Sequence, residues 1–333
     1  MRSALRLITT TATAGVLAAA LASAANAAPA NPAGTSASTA RLTGGGAVTS
    51  AAAVEQVSKY WTAARMKAAR PVPEPKAPAG TPAAAATATG KPGSTPSAGA
   101  IASAANSLAG GDAKLAAAIT ESRVVGKVFF HKPSGGDWVC SASALNSPSK
   151  QLVITAGHCV HEGKGGKWMT NWTFVPRYRN GSRPFGTFAA KQFRTFNAWI
   201  SSSAYNRDVG MVTTWPLNGR KLVNVVGGNG LSWNYPKALK VTVLGYPRNF
   251  SSGQVQAWCQ GTTRDAGGGR IALNCNFQPG SSGGPWIRAF DNSTGRGQTN
   301  GVTSTISSTG GVNKSPYFDT AVKNMFDAQG SVT

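Results

Sequence analysis

Acidic residues are scarce in this sequence: 11 Asp and Glu stand against 33 Lys and Arg in 333 residues, a formal net charge of +22. A field of that sign draws anionic partners, among them acidic peptides, anionic surfaces and nucleic acid. The basic residues are scattered, however, with no clustered stripe and no recognised nucleic-acid motif, so no nucleic-acid partner is expected. Long apolar runs are missing too. The stretch from Ile8 to Leu21 is rich in Thr and Ala and falls short of the ~18 consecutive apolar residues of a membrane span, and no later segment does better. No membrane partner is expected. Histidine is confined to His131, His158 and His161, and cysteine to four positions. Cys159, His158, His161 and Glu162 are the one clustered set of metal-ligand types, and no second pair of closely spaced ligands completes a tetrahedral site. Neither a metal nor another cofactor is expected.

What is present divides the chain in three. Met1 to Ala27 carries Arg2 and Arg6, then the short Ala-rich apolar stretch, then Ala25-Asn26-Ala27 before Ala28. This is the pattern of a cleaved export signal. It predicts a secreted, extracellular protein, and an oxidising environment makes Cys140, Cys159, Cys259 and Cys275 readable as two disulfides, with three connectivities open. Residues 28–123 are dominated by Ala, Thr, Pro and Gly, a composition that predicts disorder. One island stands out: Val54, Val57, Trp61, Ala64 and Ala68 recur at helical spacing and Pro71 ends the run, predicting a helix over 54–70. Pro71 to Pro75 and Gly80 to Gly99 read as extended chain. Beyond Val124, apolar or alternating runs at Val124 to Phe130, Leu152 to Thr155, Val241 to Leu244 and Gly301 to Ile306 are separated by Gly, Asn and Pro turns. They predict an all-β barrel or sandwich. Asp319 or Thr320 can cap one late helix with Val322, Met325 and Phe326 on a single face.

The chemistry is concentrated in two motifs, Thr155-Ala156-Gly157-His158-Cys159 and Gly280-Ser281-Ser282-Gly283-Gly284-Pro285. The second also fits the G-x-S-x-G elbow that presents the nucleophile in α/β-hydrolases, but there the histidine follows the serine. All three histidines here precede Ser282. The order left is base, acid, serine, and between His158 and Ser282 the carboxylates are Glu162, Asp208 and Asp265. Glu162 is too close to His158 to reach behind its ring, and Asp265 lies in a Gly-rich turn. Asp208 precedes the apolar run Val209-Gly210-Met211-Val212, which would carry its carboxylate into a half-buried place.

In these motifs, with Arg207-Asp208-Val209-Gly210 between them, the chain resembles the secreted bacterial trypsin-like serine peptidases of the chymotrypsin fold, from about Val124 to the C-terminus. The resemblance implies two six-stranded antiparallel β-barrels with a short C-terminal helix, preceded by a largely disordered pro-region over 28–123. It implies His158, Asp208 and Ser282 as a triad, and the N–H groups of Gly280 and Ser282 as an oxyanion hole. Gly301 to Ile306 would pair with the substrate backbone, Ser304 facing the triad, with Asn276 and Phe277 near the primary pocket. The favoured disulfides are Cys140 with Cys159, as the resemblance also suggests, and Cys259 with Cys275. The expected activity is endopeptidase cleavage of protein or peptide substrates by a monomer, with the pro-segment as a further partner; a non-catalytic extracellular binding module of the same fold is the alternative. Ser281 stands where vertebrate-type relatives carry an Asp that pairs with a newly cut amine, so Arg123-Val124-Val125-Gly126 is not read as an ion-pair activation site. With no acidic residue at the pocket base and Thr303 in place of a histidine, a preference for uncharged side chains is expected.

Overall fold

The computed structural model describes residues 34–73, 90–100, 119 and 121–333. The export signal over 1–27 lies outside these, as do parts of the low-complexity region. The described chain begins with β1 (Thr35–Thr39), α1 (Ala51–Tyr60), α2 (Ala63–Ala68), β2 (Arg70–Pro71) and β3 (Gly93–Ser94). A first barrel follows: β4 (Val125–His131), β5 (Asp137–Leu145), β6 (Leu152–Thr155), β7 (Thr170–Pro176), β8 (Phe188–Phe196), α3 (Asn197–Ser202) and β9 (Gly210–Thr214). The remainder is α4 (Leu222–Val226), β10 (Gly230–Trp233), β11 (Lys240–Gly245), β12 (Ala257–Thr262), β13 (Arg264–Asp265) and β14 (Arg270–Asn274), then β15 (Pro285–Asp291), β16 (Arg296–Val302), β17 (Thr305–Ile306), β18 (Val312–Pro316) and α5 (Thr320–Gly330).

The first barrel closes as an antiparallel ring of six, β4-β5-β6-β9-β8-β7 and back to β4. Its interior is filled by Val128, Val153, Phe174, Phe193 and Val212, all fully buried. The pairing of Thr155 with Gly210 across β6 and β9 brings the chain just after β6 and the chain just before β9 to one end of the ring. His158 and Asp208 meet there.

The second half hydrogen-bonds as two sheets, β12-β11-β15-β16-β10 with β3 added at the edge, and β13-β14-β18-β17. The Cys259–Cys275 disulfide and the Val302 N–H donated to the Ser315 hydroxyl tie one sheet to the other around Val241, Val243, Ile271, Leu273 and Trp286. The run Gly301 to Ile306 is not one strand. It is interrupted at Thr303 and Ser304, because the Thr303 C=O accepts from Gly283 and the Thr303 N–H donates to the Gly284 carbonyl. Ladder bonds are traded there for bonds to the Ser282 loop.

The expected terminal helix is α5, capped by the Asp319 carboxylate on the N–H groups of Ala321 and Val322, with Val322, Met325 and Phe326 buried. The expected helix over 54–70 is two. α1 is capped by Ser50 and α2 by Thr62, and the break falls at Trp61, which is 1% exposed. Its indole N–H donates to the Asn171 carbonyl at 2.5 Å and its ring lies 5.5 Å from that of Phe129. A continuous helix could not turn Val57, Trp61 and Met66 together onto the barrel wall.

Residues 34–73 also hold more order than their composition predicts. β1 pairs along its whole length with β8, Thr35 opposite Phe196 through Thr39 opposite Gln192. β2 lies parallel to β5, and β3 is antiparallel to β10. Polar, small residues such as Thr35-Ser36-Ala37-Ser38-Thr39 cannot build a core, yet their backbone groups complete sheet edges that already exist.

Candidate active site

β6 runs into a single tight turn at Gly157–Cys159 that buries His158 to 5% exposure. Asp208, fully buried at the mouth of β9, receives three donors. The His158 backbone N–H reaches one carboxylate oxygen at 2.8 Å; His158 Nδ1, at 2.8 Å, and the Ser304 hydroxyl, at 2.6 Å, reach the other. This contact fixes the orientation of the ring through Nδ1 and leaves Nε2 on the side away from Asp208. The neighbouring Arg207 forks onto Asp319 at 3.0 and 2.8 Å, anchoring the start of β9 to the cap of α5.

Ser282 arrives from the other half of the molecule. Its carbonyl accepts from the Ser141 N–H at 2.7 Å and lies against Cys159 Sγ; Cys159 is joined by a disulfide to Cys140 on β5. Gly283 sits so near the histidine loop that a Cβ on it would come within 2.0 Å of Thr155 Oγ1 and 2.8 Å of the Ala156 nitrogen. Ser282 Oγ and His158 Nε2 are both buried, and neither has a hydrogen-bond partner among the described residues.

Gly280 has φ +101°, and a Cβ there would sit 2.5 Å from the Tyr246 carbonyl. Only glycine accepts both conditions. The Gly280 carbonyl accepts from the Ser141 hydroxyl at 2.8 Å. Neither Gly280 nor Ser282 donates its N–H to an acceptor among the described residues.

Ser141 is the residue the sequence did not flag. Its N–H and hydroxyl hold the carbonyls of Ser282 and Gly280, and its oxygen accepts from the Tyr246 N–H at 2.9 Å. A serine after a cysteine in a strand offers no pattern to find it by. His161 takes the bland role: its Nδ1 accepts from the Gly163 N–H at 3.0 Å, and burial holds its proton affinity below the usual imidazole value. Glu162 bonds the Ser134 backbone, and Asp265 pairs with Lys237 on the surface. One potential metal cluster lies among the described residues, Cys140, His158 and Cys159, but disulfide sulfurs are not thiolate ligands.

Ser304 meets Asp208 through its hydroxyl. Asn276 and Phe277 lie beside, not among, these groups. The Asn276 side chain accepts from the Gly311 N–H, and the Phe277 backbone is held at both N–H and C=O by Asn313. With Phe250, Trp258 and the Cys259–Cys275 disulfide they line a cavity of about 430 Å³.

The N-terminal segment reaches the same neighbourhood. Val72, 3% exposed, donates its N–H to the Val139 carbonyl on β5, one residue from Cys140. Pro71 comes within 3.5 Å of the point a Cβ on Gly280 would occupy, and Pro71 and Pro73 share a cleft with Gln278, Pro279 and Ile306. At the start of β4, Val124 is fully buried and its carbonyl accepts from Ala144. Just before it the Ser122 N–H donates to the Gln256 side chain and Glu121 pairs with Arg177 and Arg179.

No family model and no curated protein matches the sequence. Solved structures do. The protease Anisep from Arthrobacter nicotinovorans is 32% identical with a TM-score of 0.60, over 64% of this chain and 98% of that one. The thermostable serine protease AL20 from an extremophilic microorganism is 29% identical at the same TM-score, over 64% and 99%. A Glu endopeptidase, 18% identical with a TM-score of 0.52 over 67% and 99%, shares the fold.

Proposed function

The chain belongs to the chymotrypsin-fold serine proteases, and from that premise we propose that it is a secreted serine endopeptidase whose N-terminal segment keeps it latent. His158 Nε2 takes the proton of Ser282 as its oxygen attacks the scissile carbonyl, and Asp208 stabilises the imidazolium that forms. The N–H groups of Gly280 and Ser282 receive the developing oxyanion, and their freedom from other acceptors suits them to that task. The leaving amine takes its proton from His158, and water then releases the acyl-enzyme by the same route in reverse.

One observation carries this reading. Asp208 bonds His158 Nδ1 while His158 Nε2 and Ser282 Oγ stay buried without partners, two uncompensated polar atoms that a purely structural role leaves unexplained. Latency follows from the segment over 70–73. It occupies the strip between β5 and Gly280 that an extended substrate would need, and the buried clamps at Ser122 and Val124 argue for processing upstream of Glu121 rather than at Arg123.

The test is a fluorophosphonate label and an unbiased peptide library applied to the secreted protein and its Ser282→Ala variant. Labelling of Ser282 and internal peptide cuts by the parent are expected, with turnover falling on the order of 10⁶-fold in the variant. A folded, processed parent that neither labels nor cuts would instead be a binding module of this fold.

A further inference from the structure

Beyond Asp208, the face of the sheet β13-β14-β18-β17 is cationic and without counter-ions. Across it Arg264 stands opposite Ala272, Ala272 opposite Lys314, and Lys314 opposite Thr305. Cross-strand partners share a face, and Arg270, two residues from Ala272 on β14, shares it too. Among the described residues no carboxylate lies within ion-pair distance of Arg264, Arg270 or Lys314. Arg270 is only 8% exposed. One terminal nitrogen donates to the Thr305 hydroxyl, the guanidinium carbon lies 5.6 Å from the centre of the Tyr205 ring, and the buried Nε has no partner. Burial lowers the proton affinity of Arg270, and burial together with Arg270 and Arg264 lowers that of Lys314. Asp208 is near enough to favour the Arg270 charge, but its two oxygens are already taken by His158 and Ser304.

A buried cation without its anion is costly, and this one stands next to an open sheet edge. β17 is the terminal strand of its sheet, so an extended peptide can add along it, and Thr305 follows directly on Ser304 at Asp208. We propose that Arg270, supported by Lys314, is a specificity-determining residue that binds the carboxylate of an acidic substrate side chain at a position removed from the scissile bond. The terminal nitrogen not engaged by Thr305 is the donor left for that carboxylate, a charge-assisted hydrogen bond. This rests on the peptidase reading above and on β17 as the strand along which substrate lies.

Peptides of one sequence, with Glu or Gln substituted in turn at each position around the cut, test it on the secreted protein. At one position away from the scissile bond, kcat/KM is expected to favour Glu by on the order of tenfold, chiefly through KM and less so at high salt. The ratio falls toward one in Arg270→Gln and falls in part in Lys314→Gln, whose half-buried site tolerates the change, while Lys164→Gln on a distant exposed loop keeps it. A parent indifferent to Glu at every position overturns the proposal. So does an equal loss on Glu and Gln peptides in both variants, which is the mark of a merely structural Arg270. Affinity of the Ser282→Ala protein for the same peptide pair, read by fluorescence anisotropy, separates the two readings. Preferential binding of the Glu peptide without turnover in the parent would sink the peptidase reading and keep the site; turnover without preference would do the reverse.

Discussion

Lys127 is buried on the outer face of the first barrel, against the second half, with no acidic partner among the described residues. It is 2% exposed, its ammonium donates to the Gly253 carbonyl at 2.8 Å and lies 4.9 Å from the centre of the Tyr178 ring, and burial lowers its pKa to about 7. An unfolded lysine keeps its proton up to ~10.4. Between about pH 7 and that value the unfolded chain therefore binds more protons than the folded one, and this group makes stability rise with pH. The contribution disappears as pH falls toward 7, below which both states are charged. Lys127→Met should remove that slope and leave the protein at least as stable near pH 7, since an apolar residue of similar volume commonly replaces a buried charge without loss. Denaturant unfolding of parent and variant at pH 7 and pH 10 measures it; parallel pH profiles would show that Lys127 is not the source. Sequence could not reveal the burial of this lysine, because the segment around Gly253 that covers its face of β4 is distant in the chain. The burial of Asp208 was legible for the opposite reason: it precedes an apolar run, and chain order left only three carboxylates to consider.

At the scale of elements, legibility followed hydrophobic pattern. Leu152–Thr155 is β6 residue for residue, and Val322, Met325 and Phe326 define the inner face of α5 as their spacing requires. β1 escaped detection because Thr35-Ser36-Ala37-Ser38-Thr39 contributes backbone hydrogen bonds rather than apolar area. The split between α1 and α2 escaped because the wall against which Trp61 packs is set by β4 and β7, distant in sequence. Gly301 to Ile306 reads as a single strand until the Ser282 loop claims Thr303. These elements hang on Trp61, with Val57 and Met66 beside it. Trp61→Ala removes a buried indole and its hydrogen bond to Asn171, a change of about 3 to 5 kcal/mol in comparable cores. Hydrogen exchange over residues 51–68 should accelerate while exchange over β4 to β9 is little changed, and hydrolysis by the unprocessed chain should increase. Unaltered exchange would mean that the helices are held by other contacts; faster exchange without gain in activity would remove the role of the segment in latency.

The whole molecule is held by a segment that touches both halves. β1 and β2 extend the first barrel at β8 and β5, while β3 and Ala98 pair with β10 and Gly228 in the second. Asn146, between the halves, donates to the Pro96 carbonyl. Strands added at three edges, with Trp61 and Val72 buried beneath them, bind far more firmly together than any one would alone, because each pairing raises the effective concentration of the next. Cutting the chain within 101–118, by a specific protease site placed there, should therefore leave residues 28–100 associated with the catalytic part. The two pieces are expected to co-elute on size exclusion at neutral pH and to separate only in denaturant. Activity of this nicked form should stay low, since Pro71 and Val72 keep their places beside Gly280 and β5, and should appear once the smaller piece is digested away. Separation of the pieces on cutting alone would show that the covalent connection, not the shared sheets, holds the segment down. Full activity with both pieces still together would place the substrate path elsewhere than between β5 and Gly280.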